Sequence, residues 1–462
     1  MVTIIRALRE SSVTMLAASI TLLCALSIDA GLAPAVLAVV LCISLSRSHL
    51  DRDRRGRIEA AIALPIVSVG AVGVGILLHR DPWLGAVVFV AGIFLSVWLR
   101  RFGPMSQRAG SVIALPFVVL LITPYIPPAS GSRIPAALIP VVIAWLALLW
   151  VSIVHEVARR SRFLPPTRGL EAPQRAPKRE SSMRPIASTR MAILMAVALA
   201  LSFAIGYVYF TERWTWIVLT AFIVLSGNRG RLDVAYKSVL RVLGAAAGTL
   251  IALSLGDHVG SHQPTTVVMI LAATFLGLWL RPLNYAWWAL FVTLALALLQ
   301  GFAGSSPGAL WLRLEEIIIG AILGVATAWF ILPVRSSAAL RARIADALTI
   351  LSDTLDPATS ARTPDDFLAA IARVEQMAPA FRASRLLTRR FQPLQPADWV
   401  DALLACRDPA IGWFERSEPS GPVRRAVGAA RKSMREPREI LPALQGLRDS
   451  LVEFPRKRRS AP

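Results

Sequence analysis

The sequence predicts an all-α, polytopic membrane protein. It is expected to have about twelve transmembrane helices as two six-helix repeats, followed by a C-terminal cytoplasmic helical domain. Three observations predict this. Of 462 residues, 55% are hydrophobic and only 17% charged, against about 45–50% and about 25% in soluble domains. Runs without Asp, Glu, Lys or Arg succeed one another from residue 11 to residue 334, and a spanning helix needs about 20 mostly apolar residues. Basic residues interrupt those runs on alternate sides, as an orientation signal does.

Taken in order, the first six runs are 11–28, 30–46, 60–79, 82–99, 109–132 and 134–155. Six more follow at 191–211, 214–228, 242–256, 258–280, 282–303 and 317–334, of which 214–228 and 242–256 must borrow flanking residues to cross. Arg6 and Arg9 before the first run resemble the start of a secretory signal. No small-x-small cleavage site follows, and Asp29 leads straight into the next run, so an uncleaved helix is expected. With the N-terminus inside, the cytoplasmic segments collect Arg47 to Arg57, Arg100 to Arg108, the basic residues from Arg159 to Arg190, Arg229 to Arg241, and Arg281. The outer segments hold only Arg80, Arg133, Arg213 and Arg313, which places both termini in the cytoplasm.

The chain repeats its own landmarks. Arg55-Gly56-Arg57-Ile58-Glu59 opens the third run as Arg229-Gly230-Arg231-Leu232-Asp233 opens the ninth, and Gly70 falls opposite Gly244. Trp98-Leu99-Arg100 closes the fourth as Trp279-Leu280-Arg281 closes the tenth, and Arg133-Ile134 matches Arg313-Leu314. Such repeats are common in transporters, with the substrate path between them. The expected division is a first membrane half at 1–155, a Pro/Arg-rich cytoplasmic linker at 156–189, a second membrane half at 190–335 and a cytoplasmic helical domain at 336–462. In that domain helices are expected near 337–355, 364–391, 396–407 and 438–454, ahead of the basic tail Arg456-Lys457-Arg458-Arg459.

Several function classes drop out. The net charge of +21 is spread among apolar segments and not over a hydrophilic domain, so nucleic acid is not the expected partner. Cys24, Cys42 and Cys406 give no disulfide framework, and no G-x-x-x-x-G-K-[ST] loop occurs. His258 and His262 beside Asp257 lack a third ligand, so no metal and no cofactor is expected. Nothing pairs a nucleophile with its base, so the chain does not read as an enzyme.

Ionisable groups within spans are costly and therefore functional candidates. Arg313, Glu315 and Glu316 open the twelfth run, where Arg313 is close enough on a helix to pair with Glu316. One reading makes the glutamates proton carriers; the other keeps all three wet at the outer interface. Asp233, Lys237 and Arg241 recur every four residues and share one helical face. They read either as a cationic gate that draws an anion inward or as a topology signal with internal pairing. Gly244-x-x-x-Gly248 and Gly320-x-x-x-Gly324 read as close-packing seams. Trp214, Trp216, Trp287, Trp288 and Trp311 read mostly as interface anchors.

The second half resembles the fusaric acid resistance protein family, related to the aromatic acid exporters of bacterial inner membranes. Trp216-Ile217-Val218-Leu219-Thr220 is similar to the family's second helix, and Arg241-Val242-Leu243-Gly244-Ala245-Ala246-Ala247-Gly248 to its third. Arg313-Leu314-Glu315-Glu316-Ile317-Ile318-Ile319-Gly320 resembles the opening of its last helix, which runs on to Trp329 and Pro333; Asn284-Tyr285 and Thr293 suit its fifth. The first half departs from this pattern, with Val67 opposite Arg241 and no acids after Ile134. The resemblance implies proton-driven efflux of small, often aromatic, carboxylic acids across the inner membrane. A periplasmic adaptor, an outer-membrane channel and self-association are the protein partners it implies, beside the bilayer and an organic anion. Arg241 and Lys237 would attract the anion and Glu316 would couple the proton. A passive anion channel, or a membrane anchor for the C-terminal domain, are the alternative readings.

Overall fold

The computed structural model describes residues 2–28, 31–48, 54–102, 110, 114, 117, 120–121, 138–164, 187–210, 213–255, 263–303, 308–331, 335–356, 363–391, 394–414 and 421–459. Among them there is no strand, and the chain is a helical membrane protein. Seven described helices are long and apolar enough to cross a membrane. Most of the run 109–132, the Asp257, His258 and His262 group, and most of the linker lie outside the described residues.

The chain forms two units. The first contains the apolar helices. These are α1 (Val2–Ile28), α2 (Leu32–Ser48), α3 (Arg54–Arg80), α4 (Pro82–Trp98), α5 (Ile139–Arg160) and α6 (Ala187–Tyr209). They continue as α7 (Thr215–Leu225), α8 (Arg231–Ser254), α9 (Pro264–Leu280), α10 (Tyr285–Phe302) and α11 (Gly308–Phe330). Helix α1 packs on α2 and α5, and α3 packs on α4 and α5. Helix α4 lies on α6 and α1 on α9. Helix α7 packs on α6 and α11, while α9 pairs with α10.

The two short runs resolve differently. Helix α8 extends the run 242–256 backwards to Arg231 and reaches 24 residues, a full crossing in length. Helix α7 has only 11 residues. At ~1.5 Å per residue it covers about half of a ~30 Å hydrocarbon core. Eight of its residues, from Trp216 to Leu225, are buried, so α7 is a short helix packed mostly inside the protein.

The second unit gathers the C-terminal helices with the stretch Gly227–Tyr236. Its helices are α12 (Ser336–Thr354), α13 (Pro364–Glu375), α14 (Ala378–Thr388), α15 (Pro396–Leu404), α16 (Arg407–Phe414), α17 (Gly421–Ser433) and α18 (Ile440–Arg459). Leu340, Ile344, Leu348 and Leu351 recur at helical spacing on α12 and meet Phe367, Ile371 and Val374 of α13 in one core. Cys406 joins that core. Burial pushes its thiol up to about 12, so it packs as a small neutral side chain. The stretch 364–391, expected as one helix, is two, because Pro379 has no N–H to give the carbonyl of Glu375. Helix α17, not expected, shows its signal in Val423, Val427 and Ala430, all buried.

Arg229-Gly230-Arg231, a repeat landmark in sequence, is packed within this unit. Arg229 donates to the carbonyl of Gln376 at 3.2 Å and to its Oε1 at 2.7 Å. Ser336 Oγ accepts from Leu232 N at 3.0 Å. Gly230 has φ 138°, and a Cβ there would meet Ser336 Oγ at 2.7 Å, so only glycine fits.

Helix α13 starts with a reciprocal cap: Thr363 Oγ1 accepts from Asp366 N, and Asp366 Oδ2 accepts from Thr363 N at 2.9 Å. Thr363→Ala is expected to cost about 1 kcal/mol, read as a lower midpoint of thermal unfolding for this unit.

Candidate functional site

The second half places charge where an apolar core is expected. Arg241 on α8 is 1% exposed, and Arg313 and Glu316 on α11 are 2% and 1% exposed. Each sits on a helix that the surrounding sequence makes apolar. Leu243 and Leu250 of α8 and Leu312 and Ile322 of α11 face outward, while the charged side chains face in.

Arg313 is the centre of the group. Its guanidinium carbon stands 3.7 Å from the ring centroid of Trp216, the second residue of the short helix α7. This is a close cation–π stack in a desolvated setting. Its Nη1 donates to Gln300 Oε1 at 3.4 Å. Arg241 lies within electrostatic reach of Arg313, and so does Glu316. Glu316 Oε1 forms a long ion pair, 3.8 Å, with Nε of Arg213, whose side chain is 46% exposed. A buried acid is thereby linked to a cation at the surface.

Many polar atoms here have no hydrogen-bond partner among the described residues. They are Nε and Nη2 of Arg241, Nε and Nη2 of Arg313, Glu316 Oε1, and the hydroxyls of Thr220, Ser238 and Thr293. A buried donor left unpaired costs about 1–3 kcal/mol, and native interiors leave few of them. Four guanidinium nitrogens in one region are therefore left with unused capacity to donate to acceptor atoms.

Close helix approach holds the group together. A Cβ on Gly320 would stand 2.5 Å from the carbonyl oxygen of Ile217 and 2.9 Å from Cβ of Thr220, so α11 rests on the backbone of α7. On Gly244 it would meet Ala289 Cβ at 2.7 Å, and on Gly248 the carbonyl oxygen of Leu290 at 2.5 Å, which draws α8 against α10. The glycine pairs are packing seams, and they fix which side chains face one another.

The six residues singled out in sequence divide. Arg241, Arg313 and Glu316 come together in the interior. Glu315 turns outward on the opposite side of α11. Asp233 accepts from Arg229 N at 3.1 Å and serves the turn before α8. Lys237 donates to the carbonyl of Ser226 at 3.4 Å, at the end of α7. The shared helical face of Asp233, Lys237 and Arg241 thus runs through three settings and does not form one gate. Trp216, expected among the interface anchors, is instead buried under Arg313. Trp287 and Trp311 are exposed, as anchors are. Arg213 and Gln300 were not singled out. Arg213 stands beside an apolar run and Gln300 within one, and spacing along the chain does not show that either meets α11.

No curated protein and no solved structure matches this chain. A family described as fusaric acid resistance protein-like matches residues 193–327. The matched stretch contains α7, α8, α9 and α10, and with them Trp216, Arg241, Arg313 and Glu316. By that match, the part of the chain that carries the buried charges is similar to the fusaric acid resistance protein-like family.

Proposed function

We propose that the protein is a proton-driven exporter of small organic anions, aromatic carboxylates among them, in the inner membrane. The reading includes twelve crossings as two six-helix halves, with both termini in the cytoplasm. One observation carries it: two buried arginines in electrostatic reach of each other hold four unpartnered guanidinium nitrogens, and one of them, Arg313, lies in reach of the buried carboxylate of Glu316. Net positive charge in a dry interior attracts an anion strongly, and the planar fork of arginine matches a carboxylate. Trp216, already stacked on Arg313, offers an apolar wall beside that fork. Glu316 is the titratable group next to the cations. In an exporter driven by an inward proton gradient the anion leaves outward, and Glu316 takes up its proton from outside in exchange. Cargo and proton thus occupy the site in turn.

The experiment is flux of labelled 4-hydroxybenzoate in proteoliposomes, with the proton gradient clamped against voltage and leakage through empty liposomes subtracted. Uphill movement that needs the proton gradient supports the reading. Flux that only equilibrates and tracks voltage replaces it with a channel. Glu316→Gln is expected to abolish uphill movement while exchange of anion down its own gradient continues. Wild-type uphill transport by that variant would remove Glu316 from coupling.

A further inference from the structure

A second group of cations gathers near Trp288 and Tyr285 of α10. Arg47, in the last turn of α2, has its guanidinium carbon 5.7 Å from the ring centroid of Trp288. Arg281, at the C-terminal cap of α9, stands 5.5 Å from the same ring. One indole is thus shared by two like charges, and Arg47 and Arg281 are near enough to repel. The hydroxyl of Tyr285, in the first turn of α10, is buried without a hydrogen-bond partner and lies within electrostatic reach of Arg47, Arg281 and Arg241. No carboxylate among the described residues pairs with any of these three arginines.

Three guanidinium groups in electrostatic reach of one phenol, with no acid paired to them among the described residues, carry an electrostatic cost that a bound anion relieves. A topology signal needs the charges but not this arrangement. Arg47 is exposed and Arg281 half-buried, and arginines that only orient a membrane protein need not share one indole. The group also has the parts for an oxyanion: two forked cations, a flat apolar ring near both and one O–H without a partner.

We infer that Arg47, Arg281, Trp288 and Tyr285 form an oxyanion-binding station, separate from the Arg313 group and leading to it through Arg241. Its ligand is a singly charged oxyanion, either the carboxylate of the cargo or the phosphate of a phospholipid. The cargo source rests on the transport reading above; the lipid source does not. In the proposed topology the station faces the cytoplasm, where Arg47 and Arg281 belong to the basic inner segments.

The test uses the full-length protein in a neutral maltoside detergent, in an Arg313→Gln background that disables the deeper group. Binding of labelled 4-hydroxybenzoate is measured by equilibrium dialysis, and binding of dioleoyl phosphatidylglycerol by native mass spectrometry. Arg281→Gln and Arg47→Gln are each expected to weaken one of the two ligands about tenfold, as loss of one charge-assisted contact does. Arg281→Lys should recover part of that loss, and Tyr285→Phe should weaken the same ligand. Loss for hydroxybenzoate assigns the station to cargo, and loss for phosphatidylglycerol assigns it to lipid. Unchanged binding of both ligands in variants that remain monodisperse overturns the inference. The flux experiment stands apart from this result, because an exporter without the station and a station without export give opposite pairs of outcomes.

Discussion

Arg313→Gln is expected to lower anion flux by about 100-fold or more. Truncating one partner in a buried charged network costs about 2–5 kcal/mol, and each 1.4 kcal/mol is tenfold. The substitution removes the guanidinium from Trp216 and Gln300 and takes away donors that have no other partner. Arg313→Lys keeps the charge but cannot lie flat on the indole or fork around a carboxylate, so about a tenfold loss is expected. Glu315→Gln, on the outward side of the same helix, should stay within about twofold of wild type. The contrast between neighbours on one helix separates a site effect from a general charge effect. Stability supplies a second contrast. A buried charge without full pairing is a burden on the fold, and replacing it with an apolar group of similar volume is often neutral or stabilising. Arg241→Met is therefore expected to keep or raise the thermal midpoint while flux is lost. If Arg241→Met both unfolds the protein and leaves the surviving fraction fully active, the arginine is a structural element and not a binding group.

Three of the residues that matter here were legible in the sequence because a charge inside an apolar run is rare and costly. Arg241, Arg313 and Glu316 stand out on that ground alone. Depth and rotation were not legible. Glu315 and Glu316 are adjacent and identical in type, and only the ~100° step between successive helical residues, fixed by packing, turns one inward and the other outward. Asp233, Lys237 and Arg241 share a face, but spacing says nothing about the level each reaches along α8. A buried tryptophan and an interface tryptophan also look alike in sequence, so Trp216 became visible only once Arg313 was seen across it. The short helix α7 was signalled by the shortness of its run, yet its burial depends on Gly320 far along the chain. In the C-terminal unit the apolar periodicity was plain, and the errors fell at prolines: Pro379 divides a stretch that otherwise repeats as one helix.

Gly320→Val should be the most damaging single change to the fold of the first unit. A Cβ at this position would lie 2.5 Å from the carbonyl oxygen of Ile217, an atom of a fully buried helix backbone that cannot rotate aside. Overpacking of this kind costs about 1–3 kcal/mol or more, and valine adds two further methyl groups. The expected result is a marked fall in monodisperse protein on size-exclusion chromatography and a lower thermal midpoint. Gly324→Ala, whose nearest neighbour is the Val224 side chain at 3.2 Å, should be mild, and Gly70→Ala, with nothing within 4 Å, should be neutral or slightly stabilising. A Gly320→Val protein that melts within about 2 °C of wild type would show that α7 and α11 do not meet this closely. The intermediate variant Gly320→Ala tests the tie between packing and chemistry. Gly320 holds α11 on α7, and those two helices carry Arg313 and Trp216. A single methyl that widens the seam by a few tenths of an ångström would loosen the stack before it unfolds the protein. Flux should therefore fall more steeply than stability in Gly320→Ala, because the same contact that closes the core also sets the arginine in place.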